Sequence, residues 1–403
     1  MLYRLALSMV EGLGPIGGRT LLDAYAGDLR AVFTDTSLPE KLKLPENILQ
    51  QLRAPSLLGK AAHELEFMEK KRVKGLWFED ADYPWRLREC ADAPLMLYVR
   101  GALPIESAHV LSVVGTRKMT AYGRSVTQKW VQVLAETVPD LLIVSGLALG
   151  VDVCAHRAAL DAGLPTAGVL GNGLSQIYPP AHRDIAVEMV EHGALVTELP
   201  HDTPIEPFRF LQRNRIVAGL SDACLVIESA VKGGSMSTAR LARDYNREVY
   251  AVPGRTNDPC SAGCNELIRR NTASILTSPE ALIEEMGWQP KASGAGSRQG
   301  NLFASAVIDS LDGPLRRLLL LFEPGEDFTP ERLLCKSRTN PAAADGLEAS
   351  AAQGVTADLP EPLTLGGNDP QPPLTMAGIS ASLLQLELYG VVVHLPGNRW
   401  RLA

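Results

Sequence analysis

Over the first 79 residues, apolar positions recur at the three-and-four spacing of amphipathic helices, in segments 2–10, 19–25 and 57–74. Between the first two lies Gly12-Leu13-Gly14-Pro15-Ile16-Gly17. It reads as the turn of a helix–hairpin–helix, whose amides can hold a phosphate, or as a plain tight helical turn. From about 110 to 287 the pattern changes to short β-branched runs alternating with stretches of helical length. The runs are VLSVVG (110–115), LLIVSG (141–146), TAGVLG (166–171), ALVTEL (194–199), ACLVIES (223–229), EVYAVPG (248–254) and ASIL (273–276). Near-continuous apolar strands followed by helices predict an α/β domain, a parallel sheet wound on both faces. Residues 289–305 have the composition of a flexible linker. A helix is expected over 307–322. Residues 340–373 hold six prolines and five acids without Lys or Arg, and disorder is expected there. A helix over 380–389 and two strands about Pro396-Gly397-Asn398 close the chain. That ending fits a winged helix split by a 34-residue insertion, or a small unspecialised α+β tail. The expected domains are 1–79, 80–288, a linker over 289–305, and 306–403.

Composition removes several classes. Of 403 residues 46% are hydrophobic, so the chain can bury a sizeable core and is not a disordered polar tail. With 39 Lys+Arg against 46 Asp+Glu, the net charge of −7 excludes a polycation. No apolar run reaches membrane-spanning length, and the N-terminus lacks a secretory pattern, so a cytoplasmic protein is expected. The six cysteines are scattered and read as buried thiols. Cys260 and Cys264 form the only close pair, with no second pair to complete a zinc site; neither metal nor cofactor is expected.

In a parallel α/β sheet, ligands sit beyond the carboxyl ends of the strands. Those ends read Gly115-Thr116-Arg117-Lys118, Ser145-Gly146, Gly171-Asn172-Gly173, and Lys232-Gly233-Gly234-Ser235-Met236-Ser237-Thr238. Each joins a permissive glycine to a donor-bearing residue and opens a helix, with Thr120 a candidate cap. Together they predict a row of anion-binding amides. The loop expected after the fourth run, Phe208-Arg209-Phe210-Leu211-Gln212-Arg213-Asn214-Arg215, adds arginines and aromatics. That mixture suits single-stranded nucleic acid, with Phe210 and Arg213 read as functional and Phe208 as core.

Catalytic signatures are missing: no G-x-G-x-x-G follows the first run, and there is no P-loop or nucleophile elbow. Asp152 and His156 read as a helix-start carboxylate and a satisfied histidine, and Glu198 and Glu228 have no visible partner.

The chain resembles the DNA-processing protein A (DprA/Smf) family. The resemblance begins at Tyr83-Pro84-x-x-Leu87-Arg88 and sharpens at VVGTRKMTAYG (113–123), VSGLALGVDVCAH (144–156) and LGNGLSQIYPPAHR (170–183). It is strongest over 210–242 and at YAVPG…GCNELIR (250–269). It implies an extended Rossmann-like domain that binds single-stranded DNA, dimerises, and loads the RecA recombinase during natural transformation, without catalysis. It also implies an N-terminal helical domain, sterile-alpha-motif-like or helix–hairpin–helix, and a C-terminal winged helix. Single-strand-binding protein is a further candidate partner. Carried over by motif, the DNA pocket comprises Thr116 and Arg117 of a Gly-Thr-Arg loop beginning at Gly115, with Ser145, Gly146, Gly171 and Gly173. Phe210, Arg213, Asn214 and Arg215, and Gly234, Ser235 and Thr238, complete it. Lys118 and Lys232 join by position only.

Two alternatives stand beside this reading. A phosphoribohydrolase-like nucleotide-processing enzyme would need an acid about where Arg240 stands. A duplex-reading regulator would need basic residues on the 380–389 helix, which has Glu387 and none. Residues 105–290 contain 16 basic and 20 acidic residues, so any positive field must be local.

Overall fold

The computed structural model describes residues 1–35, 43–102, 105–288, 313–322, 326–339, 374–389, 391–395 and 397–402. The linker expected over 289–305 and the disorder expected over 340–373 lie outside them. Two compact units are present, Met1–Pro290 and Lys291–Ala403.

The first unit opens with five helices: α1 (Leu2–Ser8), α2 (Gly14–Ala24), α3 (Leu29–Thr34), α4 (Glu46–Arg53) and α5 (Pro55–Lys71). Two strands follow, β1 (Lys74–Trp77) and β2 (Met96–Gly101), with α6 (Trp85–Arg88) between them. The wound part runs β3 (His109–Val114), α7 (Ala121–Thr137), β4 (Leu141–Ser145), α8 (Val151–Asp161), β5 (Thr166–Val169), α9 (Arg183–His192) and β6 (Gly193–Thr197). It continues with α10 (Pro207–Gly219), β7 (Ala223–Val226), α11 (Gly234–Asp244), β8 (Glu248–Ala251), α12 (Ala262–Arg269), β9 (Ser274–Ile275) and α13 (Pro279–Glu285).

The nine strands form one sheet in the order β1-β2-β6-β5-β4-β3-β7-β8-β9. Pairing is parallel from β6 to β9, as the apolar runs predict, while β1–β2 and β2–β6 are antiparallel. The sheet is therefore mixed. Strand alternation divides the core: Val110, Val114, Leu142 and Val144 pack with Ile216 and Val217 of α10, whereas Leu111, Val113 and Ile143 pack with Trp130 and Leu134 of α7. Adjacent residues thus bury opposite faces, which is why these strands are apolar throughout.

The expected boundary after residue 79 does not separate two cores. Strand β1 belongs to the sheet, and Leu5, Leu21, Leu49, Leu57 and Met68 share one apolar cluster with Trp77, Met96, Tyr98 and Leu195. Five helices of this length bury too little apolar surface among themselves and close onto the sheet's antiparallel edge. Deeper in, Arg86 of α6 is buried against Asp222, with bonds of 2.8 and 3.0 Å from its fork. Asp222 also accepts the Val110 amide at 2.8 Å, tying α6 to the starts of β3 and β7.

The second unit contains α14 (Gly313–Leu319), α15 (Pro330–Thr339), α16 (Met376–Leu388) and an antiparallel hairpin, β10 (Val392–Leu395) and β11 (Arg399–Leu402). Leu318, Phe328, Leu333, Ile379, Leu383 and Trp400 form its core. Leu395 pairs with Arg399 across a three-residue connection, in which Gly397 and Asn398 both take positive φ, +79° and +55°, a conformation that glycine and asparagine tolerate. Four cysteines are buried, whereas Cys335 is exposed and Cys260 half-buried. Among the described residues no helix is long and apolar enough to cross a membrane.

Candidate functional site

Strand order reverses beside β3: β4, β5 and β6 lie to one side, and the chain returns to place β7 on the other. The carboxyl ends of β3, β4, β5 and β7 thereby become neighbours. Their loops interlock through backbone. The Thr116 amide donates to the Glu228 carbonyl at 2.6 Å, and the Val151 amide donates to the Thr116 carbonyl at 3.2 Å. Gly150, at φ +81°, lets β4's loop come this close, since a Cβ there would stand 2.1 Å from the Thr116 oxygen.

The row of open amides is shorter than the sequence predicts. Buried Asp152, at the start of α8, accepts from the amides of Gly146 at 3.2 Å and Ala148 at 3.4 Å. Buried Glu228 accepts from the Thr120 amide at 2.9 Å and the Thr120 hydroxyl at 2.5 Å, where α7 begins. A carboxylate at a helix N-terminus satisfies the donors and dipole that would otherwise hold a phosphate. Two of the expected cradles are thus filled from within, and Glu228 is not partnerless. Thr120 caps α7 as expected, accepting from the Gly123 amide at 3.2 Å. The start of α11 stays open. Gly234 is exposed with free space beside its Cα, and Lys232 next to it is exposed.

The Phe208–Arg215 stretch is helical, not the loop expected. It forms the first turns of α10, with Pro207 at the start where its missing amide proton is harmless. Helical rotation then distributes the side chains. Phe208 faces solvent at 51% exposure, with Arg209 5.3 Å over its ring, so the expectation that it is core is corrected. Phe210 is half-buried, packed on Gly171, and its ring centroid lies 5.5 Å from that of Tyr178. Tyr178, 42% exposed, was not singled out from the sequence. Its signal is an aromatic before two prolines in the loop after β5.

Arg213 turns inward and is 4% exposed. Its guanidinium donates to the Val169 carbonyl at 2.8 Å and lies against Gly146. Burial lowers its pKa to about 10 against the attraction of Asp152, with Arg117 lowering it further. It therefore remains a cation, placed at the ends of β4 and β5, where it is buried beneath the pocket to which the motif assigns it. Arg215 is engaged too, donating to the Asp92 carbonyl at 2.7 Å and to the Glu198 carboxylate, so Glu198 has a partner. The arginines at 209 and 215 thus meet carboxylates, Arg209 reaching Glu206 at 2.7 Å.

The remaining polar candidates shape the loops. The Ser145 hydroxyl donates to the Val113 carbonyl at 2.6 Å and the Ser235 hydroxyl to Ser229 at 2.8 Å, while Thr238 is buried. Asn214 joins α10 to α11, donating to Gly234 O at 3.4 Å and Ser237 Oγ at 3.2 Å. Gly171 and Gly173 are buried at close backbone approaches. What faces solvent is Arg117 and Lys118 after β3 and Lys232 and Gly234 after β7, with the rings of Tyr178 and Phe210 meeting near Gly171. Cations beside exposed aromatic faces can neutralise phosphates while bases stack.

His156 behaves as a structural histidine. Thr166 donates its hydroxyl proton to the Ile143 carbonyl at 2.9 Å, so its oxygen accepts from His156 Nδ1 at 2.6 Å. Burial then holds the ring neutral, with its pKa lowered to about 3. Among the described residues, Glu64, His201 and Asp202 offer ligand atoms within 4.8 Å of one another. Glu64 is already engaged there, accepting from His201 Nδ1 at 2.6 Å and from the His201 amide.

Comparison with known proteins agrees with the motifs. The sequence model of the family DNA recombination-mediator protein A matches residues 74–287. Protein Smf of Synechocystis sp. is 31% identical over 99% of this chain and 98% of its own length. Protein Smf of Escherichia coli is 34% identical over 79% of this chain and 75% of its own. The X-ray structure of DNA processing protein A (DprA) from Streptococcus pneumoniae superposes with a TM-score of 0.57 at 29% identity, covering 71% of this chain and 98% of that one. On these matches, the chain belongs to the DprA/Smf family of DNA recombination-mediator proteins.

Proposed function

We propose that this protein binds single-stranded DNA along the carboxyl edge of β3, β4, β5 and β7, and that it loads RecA onto the bound strand as a homodimer. The observation that carries this reading is what the adjacent strand ends present: exposed Arg117 and Lys118 after β3, the buried Arg213 cation against Gly146 after β4, and the Tyr178–Phe210 ring pair at Gly171 after β5. Exposed cations would contact phosphates, stacking would hold bases without reading sequence, and the charge beneath would keep the edge positive within a net acidic domain. The helices α1–α5, closed onto the sheet's edge, would serve as the helix–hairpin–helix or sterile-alpha-motif-like part, and the α14–β11 unit as the winged helix. The setting is the cytoplasm, with single-strand-binding protein a candidate partner alongside RecA.

The role is mediation, not catalysis. A nucleotide-processing enzyme of the phosphoribohydrolase type needs a carboxylate facing its pocket. Asp152 is held by amides of the β4–α8 loop, Glu228 by the Thr120 amide at the start of α7, and Glu198 by Arg215, while Arg240 is basic. The test is RecA loading on single strands precoated with single-strand-binding protein, with intact protein and the Arg117→Ala variant. Loading by intact protein that fails in the variant supports the reading. Equal loading by both, or release of free base from nucleoside monophosphates, overturns it.

A further inference from the structure

A groove of about 920 Å3 is lined in part by Leu174–Ile177 and Pro180 of the loop that carries Tyr178. It is bounded by the end of α5, by α9, by β2 and by the 174–180 segment. Its floor is apolar, made of Leu174, Ile177, Val190 and Leu195, with Phe67 at one end. Val187 joins it while remaining 57% exposed, an unusual position for a valine with nothing to cover. Three cations rim the groove: Lys71 at the end of α5, Arg100 on β2 and Arg183 at the start of α9. None of the three makes an ion pair among the described residues, whereas Arg4, Arg86, Arg157, Arg209 and Arg215 of the same unit all do. Glu191 is the one acid in the lining.

We infer that this groove carries the flank of a single strand whose central nucleotides occupy the β3–β7 edge, an inference that rests on the function proposed above. Three arguments select this occupant. Unpaired cations on a rim complement a phosphate chain, and an apolar floor accepts the faces of bases. One loop also links the groove to the proposed edge: Ile177 lines the groove, and the next residue, Tyr178, presents its ring to Phe210 at the edge. A strand leaving the Tyr178–Phe210 pair would have to pass only this loop to reach the groove.

The flank site separates by oligonucleotide length. Oligo-dT of about 6 nucleotides should fill the edge alone, and one of about 30 should reach the groove as well. In full-length protein, Lys71→Gln/Arg100→Gln/Arg183→Gln should bind the short strand within twofold of the parent. It should bind the long strand at least tenfold more weakly, with the salt slope of the long strand reduced by about 2. Because Arg100 is half-buried, Lys71→Gln/Arg183→Gln serves as a gentler variant and should lower that slope by about 1.4. Unchanged affinity for the long strand, or equal loss on both lengths, overturns the groove. The proposed edge is checked separately: if Arg117→Ala leaves short-strand binding intact, the edge reading fails and the groove falls with it.

Discussion

The guanidinium of Arg213 occupies the space a side chain on Gly146 would need: a Cβ there would lie 1.6 Å from Nη1. The glycine that ends β4 and the arginine of the F-x-x-R-N-R motif are two halves of one contact. Gly146→Ala should therefore displace Arg213 and destabilise the fold by about 1–3 kcal/mol, as overpacking does. Urea titration checks this. Single-strand affinity should fall in the same variant.

Arg213 and Asp152 should be separable by a double substitution. Arg213→Ala removes the cation whose attraction opposes the burial of Asp152 and leaves the Val169 carbonyl without its donor, which should cost about 1–3 kcal/mol. Arg213→Met with Asp152→Asn retains an acceptor for the Gly146 and Ala148 amides and should recover part of that loss. Equal destabilisation in both variants, measured by urea unfolding, would contradict the pairing.

Arg117 is exposed, so Arg117→Ala should leave stability within about 0.5 kcal/mol of the parent. It should weaken binding to every single-stranded sequence and lower the salt slope by about 0.7. Fluorescence anisotropy across a salt series measures both.

Phe210→Ala and Tyr178→Ala should each lose about 1–3 kcal/mol of single-strand affinity with little dependence on base identity. Phe208→Ala tests the geometry of α10: its ring lies outside the Tyr178 contact, so its loss of affinity should be smaller. A larger effect at 208 than at 210, read by anisotropy, would reverse the assignment.

His156 makes stability pH-dependent. Its pKa is about 3 folded and near 6.5 unfolded, so between these values the unfolded chain binds the extra proton. Stability is full above about pH 6.5 and is lost as pH falls toward 3, by about 2 kcal/mol between pH 7 and 5. Denaturant midpoints at the two pH values should converge in His156→Gln.

Local chemistry made much of this protein legible in its sequence. Strand runs such as 141–146 are apolar at every position because both faces of the sheet are covered, a periodicity carried within each segment. The glycines at strand ends mark places where backbones meet, and the ordered motifs identify the family. The antiparallel β1–β2 edge was not legible, because short strands flanked by helices carry no periodic signal of their own. Nor was the fate of the charges. Glu228 and Thr120 meet across 108 positions and Arg213 and Val169 across 44, so which anion sites are open and which arginines stay free depends on chain segments brought together only by the sheet. Burial and ion pairing are properties of neighbourhoods. Tertiary structure alone turned Arg213 inward, closed the α7 and α8 helix starts with carboxylates, and gathered Lys71, Arg100 and Arg183 around one groove.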